Sequence, residues 1–146
     1  MRPDPRILIV DDDADDALAF FIRRVLPGRY GSESCEVVNA LGGYMAQRIL
    51  REDGPFDLVL TDGYMPEDID GIELVQSIRA GETEVEPSGT PRNVIIILFT
   101  AWSGIEFKHR MTEGQADMIL VKPLQPDILI DYLAVALKKR DPTSQG

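Results

Sequence analysis

The sequence predicts an α/β domain built on a parallel sheet of five strands, doubly wound with helices on both faces. Short aliphatic runs alternate with segments of helical periodicity along the chain, a pattern typical of such sheets. Several runs stop abruptly at a polar residue, as RILIV does at Asp11. A length of 146 residues with 44% hydrophobic residues fits one core. We expect a single domain over residues 1–146, with an ordered core at about residues 5–140 and a disordered tail at residues 141–146.

The elements follow one another in regular alternation. Strands are predicted at residues 6–10, 35–38, 56–61, 93–99 and 118–121. Helices are predicted at residues 15–26, 44–52, 72–80, 102–113 and 128–140, and the first of them should end at Pro27 and Gly28. A polar loop at residues 82–92 is longer than most α/β connections, so we expect it to be mobile or to form a contact surface.

The composition is acidic, since 25 Asp and Glu against 15 Lys and Arg give a formal charge of −10. A field of this sign repels the phosphates of nucleic acids and anionic membranes, so neither is expected as a partner. No apolar run reaches the roughly 18 residues of a membrane span, and the first residues lack a signal-peptide pattern. The single cysteine, Cys35, excludes an internal disulfide and fits a reducing compartment. We therefore expect a cytoplasmic protein.

Polar residues follow four of the predicted strands. These are Asp11 and Asp12 after the first strand, Asp62 after the third, Thr100 after the fourth and Lys122 after the fifth. Because parallel strands end at one edge of the sheet, these side chains should meet there. Crowded carboxylates repel one another, and a hard divalent cation such as Mg²⁺ relieves that repulsion. With the cation, the lysine and the hydroxyl neutralising phosphoryl oxygens, Asp62 is suited to nucleophilic attack on phosphorus.

The motifs VDDD, LTDGYMPEDIDG, FTA and VKP, in this order and at these positions, resemble a response-regulator receiver domain of the single-domain, chemotaxis-regulator type. The resemblance covers nearly the whole chain. It implies that Asp62 is the phosphoacceptor and that Asp11 and Asp12 are the acidic pair that binds Mg²⁺ or Mn²⁺. The backbone carbonyl of Tyr64 is implied as a further metal ligand.

The same resemblance implies that Thr100 is the switch hydroxyl, that Lys122 pairs with the phosphoryl group, and that the bond from Lys122 to Pro123 is cis. It implies the flavodoxin-like strand order 2-1-3-4-5. The implied function is that of a phosphoacceptor in two-component or phosphorelay signalling, served by a histidine kinase or a histidine phosphotransfer protein. Such a domain is a monomer or weak dimer and no enzyme beyond its own phosphotransfer and autodephosphorylation.

Two positions depart from the family pattern. Ile119 stands three residues before Lys122, where the family has an aromatic switch residue, so activation must be read out differently. The turn after Met65 and Pro66 is one residue longer than the usual MPxMDG, which should alter the geometry of the loop but not the acceptor.

Bulky residues stand two positions beyond the acceptor and beyond the hydroxyl, namely Tyr64 and Trp102. They flank the place from which water would attack a phosphoryl group on Asp62. We therefore expect them to hinder in-line water and to prolong the phosphorylated state.

Two other functions fit parts of the sequence. VDDDA also matches the DxD pattern of haloacid-dehalogenase-type phosphohydrolases, with Asp11 as nucleophile and Asp13 as acid. Such enzymes usually add a cap domain and a late pair of acids, for which this chain offers neither length nor residues. A pseudo-receiver that only binds partners is the other alternative, and Ile119 favours it while the complete set of acid, hydroxyl and lysine opposes it.

No output module is expected after Arg140, so the output should be protein contact or onward relay of the phosphoryl group. In the family, the usual signalling face consists of the fourth helix, the last strand and the last helix. The loop at residues 82–92 is positioned to extend a contact surface.

Overall fold

The computed structural model describes residues 1–12, 16–65, 68–101 and 115–141. Its centre is a parallel five-stranded sheet with the order β2-β1-β3-β4-β5, which confirms the predicted fold. The strands are β1 (Arg6–Val10), β2 (Glu36–Ala40), β3 (Leu58–Thr61), β4 (Ile95–Thr100) and β5 (Met118–Val121).

Four helices are described: α1 (Asp16–Tyr30), α2 (Gly43–Glu52), α3 (Gly71–Arg79) and α4 (Pro126–Arg140). The helix predicted at residues 102–113 lies outside the described residues.

Helices cover the sheet on both faces, and the alternation of side chains along β1 separates two hydrophobic clusters. Ile7 and Ile9 pack with α1 and α4, whereas Leu8 and Val10 pack with α2 and α3. All four side chains are buried, as expected for an inner strand of a doubly wound sheet. This packing fixes the sheet edge at which β1, β3, β4 and β5 end.

Helix α1 is longer than predicted, because it continues past Pro27 to Tyr30. Proline lacks an N–H but still offers a carbonyl, and the carbonyl of Pro27 accepts hydrogen bonds from Gly31 N at 2.8 Å and Ser32 N at 3.1 Å. The helix ends where Gly31 takes a φ of +96°, a conformation that favours glycine. The predicted stop at Pro27 and Gly28 was therefore one turn too early.

The residue that follows α4, Asp141, contacts the N-terminal segment and α1. Asp141, assigned to a disordered tail by its sequence, is only 7% exposed. Its Oδ2 lies 3.4 Å from Arg2 Nε and accepts a 3.4 Å hydrogen bond from the Tyr30 hydroxyl. The guanidinium of Arg2 also lies over the Tyr30 ring, 5.4 Å from its centroid. Charge pairing with the N-terminal segment thus holds Asp141 against the domain. Residues 142–146 lie outside the described residues.

The loop at residues 82–92 is anchored to the domain rather than free of it. Thr83 and Thr90 are fully buried, and Thr83 Oγ1 donates to the Thr90 carbonyl at 2.9 Å. Thr90 Oγ1 in turn donates to the Leu50 carbonyl at 2.9 Å and accepts from Phe56 N at 3.2 Å. These contacts connect the loop to the end of α2 and to the segment just before β3. That the loop is mobile or forms a contact surface stays a prediction.

Candidate functional site

Sheet register brings the residues predicted for the site to one edge. Val10 pairs with Thr61 across β1 and β3, and Asp62 N donates to the Val10 carbonyl at 2.9 Å. Asp11 N donates to the carbonyl of Ala40 at 3.0 Å, which fixes the first acid against β2. Asp11 and Asp62 therefore each follow a buried strand directly, and the backbone pairing of the sheet determines where these two residues lie.

The three predicted acids form a cluster. Asp11, Asp12 and Asp62 each offer a carboxylate oxygen within 4.8 Å of the others, with Asp12 exposed and the other two half-buried. Three such oxygens at this separation are the ligand type that Mg²⁺ and similar hard cations prefer. The donor set therefore fits a hard divalent cation.

Lys122 extends its ammonium group over this cluster. Its Nζ lies 3.5 Å from Asp11 Oδ2 and 3.7 Å from Asp62 Oδ2. The side chain is 32% exposed, so solvent screens these ion pairs and their net stabilisation is small. Position is the more informative property, since one ammonium contacts both the predicted phosphoacceptor and a predicted metal ligand. The peptide bond from Lys122 to Pro123 is cis, as the resemblance implied.

An open cleft of about 470 Å³ lies at the same edge. It is lined by Asp62, Tyr64, Thr100, Ala101 and Lys122. Thr100 is 1% exposed and ends β4, whereas Tyr64 is 53% exposed at the rim. The backbone N–H of Tyr64 donates to Asp62 Oδ1 at 3.2 Å, and this hydrogen bond restrains the Asp62 carboxylate. The cleft thus combines an acid, a hydroxyl and an ammonium around a space that can accommodate a phosphoryl group.

Of the two remaining predicted positions, Ile119 and Trp102, only Ile119 lies among the described residues. Ile119 lies on β5 and pairs with Leu98, with 41% of its surface exposed. An aliphatic side chain at this place offers no aromatic ring to rotate. Trp102, predicted to shield the acceptor together with Tyr64, lies outside the described residues.

The lengthened turn after β3 makes contacts that the sequence did not reveal. Asp68 Oδ1 accepts hydrogen bonds from Tyr44 N at 3.2 Å and Ile69 N at 2.6 Å, so its carboxylate lies at the N-terminal end of α2. The N-cap residue of α2 is Gly42, which has no side chain that could cap the helix. A Cβ on Gly42 would lie 2.1 Å from Asp68 Oδ2, and one on Gly43 would lie 2.1 Å from Ile69 Cγ1. The adjacent glycines were the available sequence signal for this close approach.

A family model described as the response regulator receiver domain matches residues 7–134. The chain belongs to the response regulator receiver family. Receiver domains act in two-component signalling and interact with histidine kinases. The acidic cluster and the lysine beside it thus lie in a domain of the class that the sequence motifs indicated.

The chain is similar to parts of two longer proteins. The chain is 31% identical over 141 residues to the probable transcriptional regulator ycf27 of Porphyridium aerugineum, covering 97% of the chain and 51% of that protein. It is 32% identical over 132 residues to the sensor histidine kinase RcsC of Salmonella typhimurium, covering 90% of the chain and 12% of the kinase. The chain thus spans about half of the first relative and a small part of the second.

The fold also matches solved receivers. The chemotaxis response regulator CheY4 of Vibrio cholerae superposes with a TM-score of 0.65 at 24% identity, covering 92% of the chain and 99% of that structure. At that identity the match supports the fold alone. Within the described ranges, which omit residues 13–15, 66–67, 102–114 and 142–146, no helix is long and apolar enough to cross a membrane.

Proposed function

We propose that this receiver accepts a phosphoryl group on Asp62, in a reaction that requires Mg²⁺ or Mn²⁺. The observation that carries the proposal is the convergence of three carboxylates, one ammonium and one buried hydroxyl on a single cleft at the sheet edge. A phosphohistidine on a histidine kinase or a histidine phosphotransfer protein supplies the phosphoryl group. The transfer turns two-component input into a change in protein contacts.

In the transfer, a carboxylate oxygen of Asp62 attacks the phosphorus atom. The new O–P bond forms as the bond from phosphorus to the donor nitrogen breaks, and the electron pair leaves with the imidazole of the donor. The backbone N–H of Tyr64 holds one oxygen of Asp62, which limits the orientations that the nucleophile must sample.

Charge neutralisation is the main contribution of the surrounding residues. Negative charge is spread over the equatorial phosphoryl oxygens during transfer. Asp11, Asp12 and Asp62 are suited to hold the divalent cation, which when bound neutralises phosphoryl charge. Lys122 supplies an ammonium within 3.7 Å of the acceptor carboxylate, and Thr100 a hydroxyl in the wall of the same cleft. The Tyr64 carbonyl is proposed as a further ligand of the cation.

The modified domain acts through protein contact. We assign residues 1–146 to one receiver unit, and the phosphoryl group on Asp62 to the control of its contacts with partners. Since Ile119 cannot provide an aromatic rotation, the readout uses other parts of the domain. The turn that carries Asp68 is one route, because it begins beside the acceptor and ends against α2.

Beryllofluoride, which mimics the phosphoryl group of an acyl phosphate, tests this proposal without a partner protein. With Mg²⁺ present, beryllofluoride should raise the melting temperature of the wild type, since a ligand that binds only the folded state stabilises it. Asp62→Asn should abolish the increase, and Asp12→Asn should shift it to higher Mg²⁺ concentrations. An unchanged melting temperature in the wild type would instead support a receiver that only binds partners.

A further inference from the structure

Lys122, which we propose to pair with the phosphoryl group, also contacts an aromatic ring. Lys122 Nζ lies 5.1 Å from the centroid of the Phe99 ring, within the range of a cation–π interaction. Phe99 precedes Thr100 on β4, and neither the acidic cluster nor the motif comparison assigns it a role.

Backbone pairing fixes the relative position of the ring and the ammonium. Phe99 pairs with Leu120 across β4 and β5, and Lys122 N donates to the Thr100 carbonyl at 2.9 Å. Lys122 comes two residues after Leu120, and side chains two residues apart on a strand point to the same face, which is the face of Phe99. The ring is partly buried against the cluster formed with α1 and α4, so packing restricts its motion.

The other partners of Lys122 change during the proposed reaction, whereas the ring does not. In the proposed reaction the Asp62 carboxylate becomes an acyl phosphate, and the Asp11 carboxylate would hold the divalent cation, so both ion pairs of Lys122 would be altered. A side chain that is 32% exposed can then swing toward water. The negative face of a phenyl ring attracts the ammonium without competing for the cation or for the phosphoryl group.

We infer that Phe99 is a positioning residue, whose ring face holds the Lys122 ammonium over the cleft while its carboxylate partners are taken up by the cation and the phosphoryl group. The inference rests on the proposed phosphorylation of Asp62 and adds a residue to it. Phe99 touches neither reactant and acts only through Lys122.

A fluorinated series at Phe99 separates the electrostatics of the ring from its packing. Successive ring fluorines withdraw electron density from the face and change its size little, so they weaken a cation–π contact stepwise. We expect the rate constant for phosphorylation by a small acyl phosphate at saturating Mg²⁺ to fall with each fluorine. The trifluorinated ring and Phe99→Leu should each lose about two- to fivefold, while Phe99→Tyr stays near the wild type.

The same series in a Lys122→Met background is the matched control, and there the rate should not depend on fluorination. A rate equally insensitive in both backgrounds would overturn the inference, as would equal slopes in both. If the wild type gained no phosphoryl group at all, the proposed function would fail instead, so the two failures are distinguishable.

An NMR measurement tests the contact without any phosphoryl chemistry. The ring current of Phe99 should displace the Lys122 ε-methylene protons upfield in the apo protein and in the beryllofluoride complex. Phe99→Leu should return them to the position of an exposed lysine. Absence of an upfield displacement in the wild type would contradict the inference.

Discussion

The contact between the turn after β3 and the start of α2 makes Gly43→Ala a demanding test of the packing. A Cβ at Gly43 would lie 2.1 Å from Ile69 Cγ1 and 2.8 Å from the Ile69 carbonyl oxygen. Ordinary carbon–carbon contacts are about 3.5–4.0 Å, so either Ile69 or the start of α2 must move by roughly 1 Å or more. Overpacking of this kind costs about 1–3 kcal/mol, partly offset by about 0.5–1 kcal/mol from replacing a helical glycine. We therefore expect a net loss of about 1–2 kcal/mol in the free energy of unfolding.

Gly28→Ala is the matched control, because it also adds a methyl group to a helical glycine. A Cβ at Gly28 would meet nothing within 4 Å, so only the gain in helix propensity remains. We expect this variant to be more stable than the wild type by about 0.5 kcal/mol. The two variants should thus change the free energy of unfolding in opposite directions.

Urea unfolding followed by circular dichroism measures both variants. Combining Gly43→Ala with Ile69→Ala should cost less than the sum of the single changes by about 0.5 kcal/mol or more, because the second truncation removes the clashing Cγ1. Strict additivity, or a Gly43→Ala protein as stable as Gly28→Ala, would refute the close approach of the turn to α2.

Three further outcomes are expected. Thr90→Val keeps the shape of a fully buried side chain but removes the hydroxyl that bonds the Leu50 carbonyl and the Phe56 N–H. Urea unfolding should therefore show a free energy of unfolding lower by about 2–4 kcal/mol. Burial, aided by the nearby Asp141 carboxylate, raises the pKa of Tyr30 above 10.0. The stability that results from the raised pKa is fully present below the pKa of Tyr30 in the unfolded chain. It is lost as the pH rises through the pKa of Tyr30 in the folded protein. Tyr30→Phe should therefore flatten the decline of the urea midpoint between about pH 9 and about pH 11. Tyr64→Asn combined with Trp102→Glu should speed dephosphorylation followed by intact mass, and an unchanged rate would reject the proposed shielding.

The parts of the fold that depend on periodicity were predictable from sequence. Buried strands appear as aliphatic runs, and β1 at Arg6–Val10 and β5 at Met118–Val121 have the predicted limits. The start and end of β2 were less well predicted, because its half-exposed residues give a weaker pattern and the strand continues to Ala40. Strand order and the cis bond before Pro123 came from the family resemblance rather than from periodicity.

Tertiary contacts explain what the sequence did not predict. The continuation of α1 depends on where Pro27 directs its carbonyl, and the burial of Asp141 depends on an arginine that is distant in sequence. Phe99 looked like an ordinary strand residue, since only the register of β5 brings Lys122 to its ring. Local patterns selected the acids, the hydroxyl and the lysine that lie together at this edge, but not the contacts that Asp68 and Phe99 make near them.

The central claim is that Asp62 carries the phosphoryl group, and intact mass spectrometry tests it most directly. After incubation with Mg²⁺ and a small acyl phosphate, the wild type should gain the mass of a single phosphoryl group. Asp62→Asn and a sample without divalent cation should gain none. A wild type that gains no mass would contradict the account, as would an Asp62→Asn protein modified to the same extent. Steady release of phosphate that required Asp11 but not Asp62 would indicate a phosphohydrolase instead.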